Sequence, residues 1–141
     1  MEILVIDGQG GKLGRQLVET ITRQYPDVVL TAVGTNSIAT ENMRKGGAKR
    51  IATGENAVIY NSGRVDIILG PIGIVLANAL LGEISPAMAA AVGGSPATRI
   101  LIPMNRCETL VAGVDEPAMG TLIQDALQKL DTILQEKTAQ P

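Results

Sequence analysis

The stretch that most constrains this chain is Gly8-Gln9-Gly10-Gly11-Lys12-Leu13-Gly14. It follows the apolar run Ile3-Leu4-Val5-Ile6. It opens a segment, Lys12 to about Arg23, in which Leu13, Leu17 and Ile21 recur at four-residue spacing with Val18 beside them. The pattern reads as strand, glycine turn and helix. Glycine lets the backbone turn sharply and approach a ligand closely. The first amides of the helix then point outward, unpaired, with the positive end of the helix dipole behind them. Such a junction is a ready cradle for a phosphate group. The competing reading is a glycine-rich turn with no ligand.

The common dinucleotide pattern is Gly-x-Gly-x-x-Gly. Counted from Gly8 it fails, because position 13 is Leu. The spacing Gly8, Gly11, Gly14 fits a Gly-x-x-Gly-x-x-Gly variant similar to that of several NAD(P)-dependent reductases. On that reading Gly8 makes the turn, Gly10 or Gly11 admits the phosphate, and Gly14 lets the helix pack on the strand. A mononucleotide P-loop fits poorly, since Gly11-Lys12 is followed by Leu13 and Ile6 stands where its first Gly belongs.

At 141 residues the chain has room for one domain with a real core, here 1–137, with 138–141 read as a frayed tail. The core must come from aliphatic residues, because Tyr25 and Tyr60 are the only aromatics. Twelve basic and 14 acidic residues, with no long basic stripe, argue against nucleic-acid binding. Cys107 is the only cysteine, which excludes an intrachain disulfide. The complete lack of histidine removes His-based acid–base chemistry, Ser-His or Cys-His nucleophile pairs and His-ligated metals, and no metal site is expected. Met1 leads directly into a strand and no run is long and apolar enough for a membrane span, so a cytoplasmic protein is expected.

Further strands are expected at Val28–Val33, Arg50–Thr53, Val65–Leu69 and Arg99–Ile102, with Leu110-Val111-Ala112 as a candidate edge strand. Helices are expected after Asn36 or Ser37, after Thr53, after Ser85-Pro86 and after Pro117. The uncharged run Ile74–Leu81 reads as a helix buried on all sides, its outer face covered by another subunit. Asn78 is its one polar side chain. The apolar stripe of the last helix packs either on the chain's own sheet or on a partner helix, and with the buried run it points to a homo-oligomer. Alternating strands and helices imply an α/β fold: a three-layer, Rossmann-like doubly wound sheet of about five parallel strands in the order 3-2-1-4-5.

Ligands of such sheets bind at the C-terminal strand edge, where the strand order reverses. That edge gathers Asp7, Gly8, Gln9, Gly10, Gly11, Lys12, Leu13 and Gly14 from the first strand. It adds Gly34, Thr35 and Asn36 from the second, then Thr53, Gly54, Glu55 and Asn56 from the third. The fourth brings Gly70, Pro71, Ile72 and Gly73, and the fifth Pro103 to Cys107. A common NAD site has a carboxylate at the end of the second strand to grip the ribose. Here the position offers Gly34, Thr35 and Asn36, so NADP is expected ahead of NAD, its 2′-phosphate met by Lys12 or Arg15. The alternative reading takes both as exposed helix charges. Acid–base candidates are few: Asp7, Glu55, Glu83, Lys12, Tyr60 and Cys107.

The stretches Val5–Gly11, Gly34-Thr35-Asn36, Ala52–Asn56, Gly70–Asn78, Leu81–Ile84 and Ile102–Asn105 resemble a small bacterial family catalogued only as a domain of unknown function. The resemblance runs to about Gly113. It implies a Rossmann-like fold and no assigned activity. The leading expectation is a nucleotide- or dinucleotide-binding protein, with an NADP-dependent reductase as the leading enzyme class. The alternatives are a non-catalytic sensing or assembly module and a lyase or synthase acting on a phosphorylated metabolite.

Overall fold

The computed structural model describes residues 1–104, 109–115 and 117–139. Five strands, β1 (Glu2–Asp7), β2 (Val29–Gly34), β3 (Arg50–Thr53), β4 (Ile67–Pro71) and β5 (Thr98–Ile102), alternate with α1 (Lys12–Gln24), α2 (Ser37–Lys45), α3 (Glu55–Ser62) and α4 (Pro86–Gly93). The long α5 (Met119–Ala139) closes the chain. All strand pairs are parallel and the order is β3-β2-β1-β4-β5. The expected doubly wound sheet is therefore present, and its order reverses between β1 and β4.

Strand alternation divides the core into two layers. Ile3 and Val5 of β1 face one side with Leu17, Val18 and Ile21 of α1, Met43 of α2 and Ile123, Leu127 and Leu130 of α5. Leu4 and Ile6 face the other with Val58 of α3 and Met88 and Val92 of α4. Ile3 to Ile6 are all fully buried. A strand covered on both faces must be apolar at every position, and this is why β1 could be read without alternation.

Local chemistry sets the element ends. Asn36 caps α2, its Oδ1 accepting from the Ala39 amide at 2.8 Å. Ser85 caps α4 ahead of Pro86.

Two expected elements are absent. In place of a helix over Ile74–Leu81 the chain makes one 3-10 turn, Ile72–Val75, and then a compact series of turns to Ile84. Asn78, Leu80 and Leu81 sit at φ 66, 56 and 56, and Gly82 at φ 89, a run of left-handed residues that no α-helix admits. The Asn78 amide donates to the Ile84 carbonyl at 2.7 Å and closes the loop. The apolar run is buried because Ile74, Ala79, Leu80 and Ile84 all enter the core layer of Leu4 and Ile6, whereas Leu81 is 95% exposed. Periodicity cannot separate these cases, since a turn can also pack apolar side chains densely. The inferred helical interface with another subunit loses its basis, and the α5 stripe lies on the chain's own sheet. The candidate strand at Leu110–Ala112 is irregular chain and turn, with Leu110 exposed.

Candidate functional site

The end of β1 and the start of α1 are tied together by Asp7. This carboxylate is 3% exposed. Its Oδ1 accepts from the Gly8 amide at 2.8 Å and its Oδ2 from the Gly14 amide at 2.7 Å. Burial pushes its carboxyl above the ordinary aspartate range, the two amides work against that shift, and the charge of Glu83 adds to it. Asp7 thus serves the loop itself and takes one of the outward amides of α1.

Three of the loop glycines are required by the chain's own packing. A Cβ at Gly8 would lie 2.7 Å from Thr35 Oγ1 and 2.8 Å from a Leu80 methyl. At Gly11, where φ is 73°, it would meet the Ala39 backbone at 2.7 Å. At Gly14 it would meet Asp7 Cβ and Met43 Sδ, both at 2.7 Å. Gly10 differs: no heavy atom lies within 4 Å of its Cβ position. The Gly11 amide closes the turn on the Gly8 carbonyl. The amides of Gly10, Lys12 and Leu13 have no partner among the described residues. The N-terminus of α1 carries no side-chain cap and no acidic residue in its first turn.

The loop is latched from two other elements. Asn36 Nδ2 donates to the Gln9 carbonyl at 3.0 Å, and Asn42 Nδ2 donates to the Gly10 carbonyl at 2.9 Å. Asn42 Oδ1 in turn accepts from Arg15 Nη1, while Arg15 Nε pairs with Glu19. Glu83 arrives from the loop after β4. Its Oε1 accepts from the Gln9 amide at 2.9 Å, Thr35 Oγ1 at 2.6 Å and Asn36 Nδ2 at 2.8 Å. Burial would raise the Glu83 carboxyl, but these three donors together hold it below the ordinary glutamate range.

The sequence-derived residues are thus partly gathered and partly not. Asp7 to Gly14, Thr35 and Asn36 form one connected cluster. Gly34 lies beneath it, where a Cβ would strike Thr40 Oγ1 and the Thr40 amide. Thr53 joins through its hydroxyl to Thr40 at 2.6 Å, and the Gly54 amide donates to the Gly34 carbonyl. Glu55 instead accepts from Ser85 Oγ, and Asn56 is exposed beside it. Gly70 is a packing glycine, its Cβ direction blocked by the Ile6 carbonyl at 2.4 Å. Pro71 and Gly73 are buried and Ile72 is half-buried. Asn105, Arg106 and Cys107 lie outside the described residues. Glu83 entered the sequence reading as one acid among several and within the Leu81–Ile84 stretch, with no role at the loop, and Asn42 not at all. Their roles depend on contacts across 74 and 32 residues of chain, which no local pattern carries.

Among the described residues no cluster of His, Cys, Asp or Glu suits a metal ion, and no helix is long and apolar enough to cross a membrane. No curated protein matches the sequence. Among solved structures, a dodecameric FMN-dependent UbiX-like decarboxylase from Escherichia coli O157:H7 is similar at 18% identity and a TM-score of 0.48. The match covers 93% of this chain and 76% of that one. The family model described as Domain of unknown function (DUF3842) matches residues 2–135, nearly the whole chain, and the protein belongs to that family.

Proposed function

We propose that this protein binds a phosphorylated nucleotide at the Gly8–Gly14 loop, with the phosphate on the amides of Gly10, Lys12 and Leu13. The observation that carries this reading is the uncapped start of α1, with three unpartnered amides beside the one loop glycine that faces open space. Helix N-termini favour anions by about 0.3–1 kcal/mol at exposed sites. The exposed Lys12 side chain adds a positive charge. The site lies where the strand order reverses, the usual ligand position in such sheets.

The same geometry favours a binding module over an acid–base enzyme. Asp7 is occupied by two amides and Glu83 by three donors, so the carboxylates nearest the loop hold structure in place. Hydride transfer by an NADP-dependent reductase would use the same loop. Of the two cations proposed for its 2′-phosphate, Arg15 is already committed to Glu19 and Asn42.

The test is a thermal-shift panel of adenine, nicotinamide, flavin and CoA nucleotides on the wild type and on Gly10→Ala. A ligand at a hundredfold its Kd adds about 2.7 kcal/mol. That is a rise of roughly 10 °C for a domain of this size. The rise is expected in the wild type and lost in Gly10→Ala. A panel without any shift sinks the nucleotide reading. Binding without turnover on redox-active members supports the module, and turnover overturns it in favour of the reductase.

A further inference from the structure

One carboxylate reaches the end of β2 from the loop after β4, on the far side of β1. Glu83 belongs to the connection between β4 and α4, yet its carboxylate lies at the C-terminal end of β2 against Thr35 and Asn36. All three of its donors converge on Oε1. Oε2 accepts from none of the described residues. In sheets of this order, with a phosphate on the first glycine loop, the nucleotide's ribose lies over the end of β2. A carboxylate there takes the ribose hydroxyls, whereas an arginine there takes a 2′-phosphate.

β2 itself ends in the uncharged Gly34, Thr35 and Asn36. Building on the nucleotide reading above, we propose that Glu83 is the ribose-reading residue of this site. Its free Oε2 accepts from an unmodified ribose hydroxyl, and the same carboxylate turns away a nucleotide carrying a 2′-phosphate. The ligand class is then a nucleotide with a free 2′-hydroxyl.

Three further features fit. Glu83 is fixed from both sides, because Leu80 and Ile84 are buried in the core layer of Leu4 and Ile6. The chain holds Asn78, Leu80 and Leu81 in left-handed conformations to bring it there, and such strain persists only where the surroundings enforce it. The first turn of α2, Ser37 to Thr40, presents no cation that could offset a 2′-phosphate. Arg44, at the far end of that helix, is paired with Glu41. Like charges brought together at a binding site repel, and the mismatch lowers affinity.

Isothermal titration calorimetry with inorganic pyrophosphate, ADP and 2′-phospho-ADP separates the two levels of the argument. Pyrophosphate probes the loop alone. The two nucleotides differ only at the ribose. In the wild type ADP is expected to bind at least about tenfold tighter than 2′-phospho-ADP. Glu83→Gln, which keeps an acceptor for the three donors, should bring the two affinities together. Ile38→Arg places a cation in the first turn of α2 at a side chain 71% exposed, and should strengthen 2′-phospho-ADP binding without touching the latch. Equal wild-type affinities, tighter binding of 2′-phospho-ADP, or a folded Glu83→Gln that keeps the wild-type ratio would each overturn the proposal and leave the loop reading standing. Pyrophosphate binding without ADP binding has the same meaning. If none of the three probes binds at millimolar concentration, the loop reading fails and Glu83 falls with it. If Glu83→Gln does not fold, the wild-type ratio and Ile38→Arg still decide.

Discussion

Adjacent glycines in the loop should respond to the same substitution in opposite ways. At Gly11 an alanine must hold φ near 73°, which costs about 1 kcal/mol for a residue with a Cβ. Its Cβ would also stand 2.7 Å from the Ala39 Cα and 2.8 Å from the Ala39 carbonyl oxygen. Both are backbone atoms and cannot rotate away. The starts of α1 and α2 must separate, at a further cost of about 1–3 kcal/mol. Gly11→Ala should therefore lose roughly 2–4 kcal/mol, and with about 3–5 °C per kcal/mol its Tm should fall by about 6–20 °C. Gly10→Ala meets no atom within 4 Å and no left-handed backbone. Its stability should stay within about 0.5 kcal/mol of wild type, or rise slightly because the unfolded chain loses freedom. Differential scanning calorimetry without ligand measures both changes, and nucleotide-induced shifts follow on the same samples. Only Gly10→Ala can report on phosphate approach without disturbing the fold. A Gly11→Ala protein as stable as wild type would refute the packing argument. A Gly10→Ala protein that keeps the full nucleotide-induced shift would refute phosphate binding on this loop.

Other consequences can be checked independently. The Glu83 carboxyl is held below its ordinary pKa of 4.5 in the folded state, so its contribution is present above the unfolded value and lost as pH falls through the folded one. Urea midpoints taken from neutral pH into that acid range should show a loss in the wild type that is smaller in Glu83→Gln. Leu81 is 95% exposed at φ 56, so Leu81→Asn should relieve strain without loss of packing and stabilise by about 0.5–1 kcal/mol, measured as a higher Tm. Burial and a 2.6 Å hydrogen bond to Asp131 push the Tyr25 phenol up to about 12. With Tyr60 as the only other tyrosine, ultraviolet titration should resolve the late-ionising group, and Tyr25→Phe should remove it.

The fold was legible because its signals are local and repeated. The apolar run of β1, the four-residue stripe of α1 and the caps at Asn36 and Ser85 each state their element within a few residues. The alternation of strands and helices then leaves few topologies. The loop failed where one composition serves two conformations. Ile74–Leu81 is apolar enough for a buried helix, and only the left-handed turns at Asn78, Leu80 and Leu81 show that the chain folds back on itself.

The candidate site divides along the same line. From the sequence alone came a strand, a glycine turn and a helix start, with Asp7 at the junction, since these are neighbours along the chain. Tertiary structure decided what each glycine is for. Gly8, Gly11 and Gly14 face Thr35, Ala39 and Met43, residues from β2's end and α2 that close on them only when the sheet forms, and Gly10 alone is left open. It also decided that a carboxylate stands at the end of β2. Strand β2 supplies none, and parallel pairing places the loop after β4 across β1, so that Glu83 reaches Thr35 and Asn36 from 48 and 47 residues away.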